Sequence, residues 1–428
     1  MSTSRREGGR DEILRIEGGR ELRGRIAIGG SKNATLPILA ATLLTSAPVH
    51  LTNLAEVTDT RVMLDILRHL GCEVSEDGGE VTVMAADPGH EVPLELAREM
   101  RASLLLLGPL LARVGSVRLP RPGGDDIGAR RVEQHIGGLR RMGAEIEETE
   151  TEFIARAGRL RGTRITLDMP TVTGTENLMM AAVLAEGRTE ILNAAREPHV
   201  QDVARFLNVI GARVVGAGTD EVVVEGVEEL TGGSHTICSD YLESGTYAIA
   251  TAATGGEVIL EGSPSGDLTT VLLKLEQADV GIDVDEIALH VIRSSATNLR
   301  ATDLTTWVHP GFPTDLQSQY TALMTQAHGE AVVAEFLFED RFRVVEELVR
   351  MGADITVTGR MAFVKGPRRL RGREVVVPDI RSGAALVIAG LCAEGETILR
   401  HAWHVDRGYP DLVGKLSEMG ALISRDGG

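Results

Sequence analysis

Several stretches of the chain carry residue types that can bind charge or move a proton. In IAIGGSKNATLPILAATLL, Ile26 to Leu44, Gly29 and Gly30 end a strand, Ser31 caps, and an aliphatic helix is expected from Thr35. Backbone N–H groups at a helix start, with Lys32 beside them, make an anion site. In LPRPGGDDIGARRVEQH, Leu119 to His135, two prolines and two glycines predict a mobile loop with Asp125 and Asp126 at its tip and Arg130 and Arg131 behind. A carboxyl group on such a loop, once desolvated, can hold a proton near neutrality. Further on, HPGFPTDLQSQY places Asp315 after Pro313. FLFEDRF, VPDIRSGAALV and HVDRGY set Asp340 beside Arg341, Asp379 near Arg381, and Asp406 beside Arg407. Arginines gathered in one cleft would bind a multiply charged anion through bidentate contacts. Taken singly, the same stretches also fit a capped helix with a solvated lysine, an acidic surface turn, and unrelated surface ion pairs.

Other chemistries are poorly served. Asp125 and Asp126 have no third oxygen ligand nearby, His401 and His404 lack a completing cysteine or carboxylate pattern, and no glycine-rich stretch matches GxGxxG or GxxxxGK[ST]. Cys72, Cys238 and Cys392 are widely spaced, which points to a reducing, cytoplasmic setting and away from disulfides or zinc. The first twelve residues are polar and charged, and the longest apolar stretch, Leu104 to Ala112, is too short to span a bilayer, so no membrane insertion is expected. Lys and Arg number 44 against 62 Asp and Glu, a net −18 that argues against general nucleic-acid binding. Only four of the 44 basic residues are lysines, Lys32, Lys274, Lys365 and Lys415, so each asks for a reason.

The elements that must position these residues recur. Apolar residues, a glycine, a small or charged residue and a β-branched one appear as LRHLGCEV at Gly71, LRRMGAEI at Gly143, LNVIGARV at Gly211, LVRMGADI at Gly352 and LSEMGALI at Gly420. A degenerate copy, LEQADVGIDV, puts Asp279 in the glycine position, and the intervals are 72, 68, 68, 73 and 68 residues. Each copy reads as an amphipathic helix that ends at a left-handed residue and turns directly into a strand. With 428 residues, the repeat predicts six α/β modules of roughly 70 residues, three to each of two lobes.

Together, GGSKNATLPI, MRASLLLLGPL, PGGDDIGAR, NAAREP, HPGFPTDLQ, FEDRF and HVDRGY resemble the enolpyruvyl transferases, and the likeness runs from about Ile13 to Ser424. That resemblance implies a two-lobed α/β fold of six βαβαββ-type units, with residues 1–31 and 240–428 in one lobe and 32–239, carrying the loop 119–131, in the other. It implies addition of the 3′-hydroxyl of UDP-N-acetylglucosamine to phosphoenolpyruvate with loss of phosphate, the first committed step toward peptidoglycan. Neither a metal nor an organic cofactor is implied. By resemblance Lys32, Asn33, Arg130, Arg381 and Arg407 would hold phosphoenolpyruvate. Asn33, Arg101, Thr171, Val172, Asp315 and Leu337 would hold the sugar nucleotide. Asp125 and Asp315 would be the proton donor and base, with Lys32 and Arg407 also catalytic, and Arg341, Asp379 and Arg381 would form a transition-state cluster between the lobes.

Three positions depart from the family pattern. Asp125 stands where most members have the loop cysteine, which implies insensitivity to the thiol-alkylating inhibitor fosfomycin. Met169 replaces a lysine that some members use for the nucleotide, and Tyr241 replaces an arginine within Asp240-Tyr241-Leu242-Glu243. A UDP-sugar-binding regulator, or an enzyme for another sugar nucleotide, stays open on these grounds. The branch acting on shikimate 3-phosphate shows an Asn-Arg pair after its Ser-Lys, where this chain has Asn33, Ala34 and Thr35.

Overall fold

At every helix end marked by the repeat, the residue in the glycine position takes a left-handed backbone. The φ angles are 88° at Gly71, 99° at Gly143, 100° at Gly211, 106° at Gly352 and 87° at Gly420. Asp279, the degenerate copy, follows suit with φ 67°. An L-residue there carries a backbone cost of roughly 1–2 kcal/mol. Its carboxylate is engaged by Arg300, with Nη2 donating at 2.8 Å and Nε at 3.1 Å.

The computed structural model describes residues 12–125, 127–128, 132–294 and 296–426. The chain divides into two compact units, one comprising Met1–Gly29, Asp126–Ala129 and Ser239–Gly428, the other Gly30–Asp125 and Arg130–Cys238. Each has its own aliphatic core.

Within each unit three sheets share one plan. In five of the six, a parallel pair is followed by two antiparallel partners, as where Leu22–Ala27 runs parallel to Gly256–Glu261, which pairs with Ala288–Arg293 and that with Gly281–Val284. The sixth keeps three strands, and a single parallel bridge between Glu91 and Arg118 stands in the place of the fourth. The last sheet is completed from the other end of the chain. Ile13–Glu17 pairs antiparallel with both Glu396–Arg400 and Leu422–Asp426.

Each module contributes two helices of different character. One is amphipathic and ends at the left-handed residue, as in Thr58–His69 and Pro198–Val209. The other is buried almost all round and lies in the core, polar residues included. These are Lys32–Ala41, Leu107–Val114 and Val172–Ala182 in the second unit, and Tyr241–Thr254, Gln317–Met324 and Ile380–Cys392 in the first. The first of them begins three residues earlier than the sequence reading placed it. Ser31 accepts from the Ala34 N–H and so makes Lys32–Ala34 the opening turn.

A Cβ at Gly143 would meet nothing within 4 Å. Gly143→Ala therefore isolates the backbone term, and a loss of about 1 kcal/mol is expected in urea unfolding, with Gly143→Asn losing less. An unchanged midpoint for the alanine variant would refute the strained-end reading of the repeat.

Candidate active site

Several nominated residues, Lys32, Asn33, Thr171, Val172, Asp315, Asp379 and Arg381, stand at the starts of the buried helices. In the first unit Asp315 lies in the tight turn Thr314–Leu316, directly before Gln317–Met324. Its Oδ1 accepts from Arg341 and its Oδ2 from Nη2 of Arg381 at 2.8 Å. Arg341 and Arg381 are both buried. Two guanidinium groups against one carboxylate leave an excess of one positive charge.

Neighbours fix this trio. Nε of Arg341 donates to Thr314 Oγ1 at 3.2 Å, and that hydroxyl donates to Glu335 Oε2 at 2.9 Å. Glu335 Oε1 accepts the backbone N–H groups of Leu337 and Phe338 at 2.8 and 3.1 Å, so one buried carboxylate shapes the turn that bears Leu337 and holds Thr314. Arg341 lies over the Phe338 ring at 5.5 Å and Arg381 over Tyr409 at 5.3 Å. Gln319 donates to the Tyr409 hydroxyl at 2.9 Å and to the Asp315 carbonyl at 3.0 Å. Asp379 meets the trio at the backbone of Arg381. It caps Ile380–Cys392, accepting from the N–H groups of Arg381 and Ser382 at 2.9 and 3.0 Å and from the Ser382 hydroxyl at 2.5 Å.

Of the three Asp/Arg pairs in the sequence, HVDRGY is split by the structure. Asp406 turns to Arg425, which also donates to Glu12, whereas Arg407 is buried. Asp340 contributes its backbone N–H to the Ile127 carbonyl at 3.3 Å. His404 stacks on Trp403, with ring centroids 3.7 Å apart.

In the second unit Lys32 is the first residue of its helix, and its Nζ lies 2.8 Å from Asp59 Oδ2, with both side chains buried. Asn33, beside it, is half-buried. Gly30 is required two residues earlier, because a Cβ there would fall 1.6 Å from the Asn53 carbonyl oxygen. Gly124 packs on the backbone of Arg101, so that the half-buried Asp125 follows directly from that contact. Thr171 caps Val172–Ala182, accepting the Gly174 N–H at 3.3 Å, and Val172 opens the helix half-buried. Met169 is exposed, its carbonyl accepting from Gln134, while Tyr241 is buried in the core of the first unit. Asp126, Arg130 and Arg131 lie outside the described residues.

His135 joins this group without having been nominated. Asn177 accepts the Gly108 N–H through Oδ1 at 2.6 Å and turns its amide N–H groups to the Leu104 carbonyl and to Nδ1 of His135. Nδ1 must then accept, so the ring carries its proton on Nε2, which faces Thr173 Oγ1 at 3.1 Å. Burial pushes His135 down to about 3, and the Arg101 charge pushes the same way.

Asp59, Glu335, Tyr409 and Gln319 were likewise missed by the sequence reading. An acid in the first turn of an amphipathic helix is the ordinary complement to the helix dipole, so Asp59 carried no separate signal. Among the described residues, no group of three or more His, Cys, Asp or Glu side chains is arranged to hold a metal ion.

Comparison with known proteins places this geometry. A family model described as EPSP synthase (3-phosphoshikimate 1-carboxyvinyltransferase) matches residues 16–416. The chain belongs to the EPSP synthase family. A protein of Desulfovibrio desulfuricans is 47% identical over 414 residues, covering 96% of this chain and 99% of the relative. One of Sorangium cellulosum is 48% identical over 416 residues, 97% and 98% of the two chains. Both are named UDP-N-acetylglucosamine 1-carboxyvinyltransferase. Among solved structures, the enolpyruvyl transferase NikO from Streptomyces tendae matches with a TM-score of 0.87 at 26% identity, over 97% of this chain and 99% of that one. An EPSP synthase from Acinetobacter baumannii matches in fold, with a TM-score of 0.75 at 21% identity over 97% of this chain and 99% of its own. The six-module α/β plan expected of an enolpyruvyl transferase is the one observed.

The neutral His135 of this family member gives a signed prediction. Its folded pKa lies below the unfolded 6.5, so the unfolded chain binds a proton that the folded one refuses. Stability from this group is present above pH 6.5 and lost as pH falls toward about 3. His135→Gln should flatten the acid limb of thermal stability by up to one proton per molecule across that window; an unchanged slope would show that the imidazole is charged when folded.

Proposed function

We propose that this chain transfers the enolpyruvyl group of phosphoenolpyruvate to the 3′-hydroxyl of UDP-N-acetylglucosamine, releasing phosphate. The observation that carries the reading is identity of 47–48% over nearly the full length with relatives named for that reaction. The Asp315, Arg341 and Arg381 cluster supports it with a buried cationic centre around a carboxylate.

Each residue has a task that its chemistry suits. Lys32, Arg130, Arg381 and Arg407, with Asn33, bind the phosphate and carboxylate of phosphoenolpyruvate. Asn33, Arg101, Thr171, Val172 and Leu337 hold the sugar nucleotide, along with Asp315. Asp125 gives a proton to the C3 methylene, and C2 becomes electrophilic. Asp315 takes the proton of the attacking hydroxyl as the new C2–O bond forms. Its oxygens already hold guanidinium N–H groups, and the side chain is 25% exposed. The tetrahedral intermediate then loses phosphate from C2 as a C3 proton returns to the Asp125 carboxylate, leaving the enolpyruvyl ether. Arg341 and Arg381 keep Asp315 oriented, and their excess positive charge stabilises the anionic intermediate. No helix among the described residues is long and apolar enough to cross a membrane.

The test is phosphate release from the purified protein with phosphoenolpyruvate and UDP-N-acetylglucosamine, together with the mass gain of the sugar nucleotide. Release only with shikimate 3-phosphate, or tight UDP-sugar binding without turnover, would overturn the assignment. Asp315→Asn should lower kcat by roughly 10²–10⁴-fold, the usual span for a general base, with Asp315→Glu retaining more. Fosfomycin should leave no time-dependent covalent adduct, since Asp125 offers no thiolate.

A further inference from the structure

The reaction scheme leaves Lys415 unused. This lysine lies in the helix Leu412–Glu418, and its Nζ sits 2.6 Å from Oε1 of Glu243. Glu243 occupies the first turn of Tyr241–Thr254 and is almost wholly buried, as is most of the lysine side chain. The second carboxylate oxygen, Oε2, accepts the backbone N–H of Gly29 at 2.8 Å. The carbonyl of the same Gly29 accepts the N–H of Asp240 at 2.9 Å. One helix start thus fixes both polar groups of Gly29, the last residue of the first unit before the chain passes into the second. Three residues later comes Lys32.

Resting on the function proposed above, we infer that Lys415 is a positioning residue for enolpyruvyl transfer: by pairing with Glu243 it fixes the Gly29 backbone and so sets the entry of the turn that carries Lys32.

The surroundings of Glu243 make the lysine necessary. Burial pushes its carboxyl up, Lys415 opposes that most strongly, the Asp240 charge pushes up again, and the Gly29 N–H pulls down. Tyr247 also faces the pair. Its buried hydroxyl is pushed far up, first by desolvation and then by the charge of Glu243, with Tyr409 and Asp411 adding to it, so it does not act as a counter-charge. Without Lys415 the anion would keep only a backbone N–H. The carboxyl would protonate at a higher pH, and a neutral acceptor would hold Gly29 less firmly.

The experiment compares wild type, Lys415→Met, Lys415→Arg and the double variant Lys415→Met with Glu243→Gln. In Lys415→Met, kcat/KM for phosphoenolpyruvate at pH 6 should fall about tenfold to a hundredfold, as for a displaced binding group, while KM for the sugar nucleotide changes little. The loss should shrink as pH rises and Glu243 ionises. Lys415→Arg should recover most of the rate, and the double variant should show no new acid limb. In parallel, amide hydrogen exchange of a peptide spanning residues 24–31 should quicken in Lys415→Met at pH 6, and less so at pH 8. A pH-independent loss, or unchanged exchange at Gly29, would overturn the inference. If wild type transfers nothing, the functional reading fails, while the exchange result still decides whether Lys415 fixes Gly29. Should Lys415→Met not fold, Lys415→Arg and the double variant carry the comparison.

Discussion

A helix that starts inside a protein core presents backbone N–H donors that water cannot reach. Six helices among the described residues run buried through the cores, and the chemistry of the molecule follows from how their starts are answered. Ser31, Thr171, Asp240 and Asp379 answer with their own side chains. Gly108, near the start of a fifth, is answered by the amide of Asn177. Polar groups are thereby admitted to an aliphatic interior at defined places, and the residues next in line come with them. Lys32 directly follows the cap Ser31, Arg381 is two residues beyond Asp379, and Glu243 is three beyond Asp240. The first turns also carry the positive end of the helix dipole, which suits anionic ligands.

Charge inside the two units is handled differently from charge outside. The overall −18 arises from carboxylates that are mostly exposed, whereas four cations set into the interior, Lys32, Arg341, Arg381 and Lys415, are each matched to a carboxylate. Two of these four, Arg341 and Arg381, share one anion at Asp315. That shortfall keeps a positive potential in an acidic protein, because local geometry outweighs a screened net charge. Aromatic faces of Phe338 and Tyr409 hold the guanidinium planes, which a lysine could not present in the same way.

Much of the architecture could be read from the amino acids because its cause is local. A left-handed helix end needs glycine or a tolerant substitute, and the spacing of those residues counts modules directly; even Asp279 adopts the strained angle. One helix start was legible for the same reason, through Ser31, though placed three residues late, whereas the caps Thr171 and Asp379 emerged from the structure. What escaped were distant pairings that no motif marks. Lys32 with Asp59 spans 27 residues and Glu243 with Lys415 spans 172, and no period or motif links such pairs. Adjacent letters also misled. Asp406 and Arg407 look like one unit, yet neighbours on a helix point about 100° apart, so one reaches Arg425 and the other faces inward.

The strand Ile13–Glu17 lies between two strands from the far end of the polypeptide. During synthesis its hydrogen-bonding edges must wait until Glu396–Arg400 and Leu422–Asp426 have left the ribosome. The segment Gly30–Cys238 supplies all the strands of its own three sheets and can condense in the meantime. Vectorial translation therefore imposes an order in which the inserted unit matures first and the unit that frames it closes only once Leu422–Asp426 has emerged. A truncated product would leave that strand unpaired, a sticky edge for quality-control machinery to recognise.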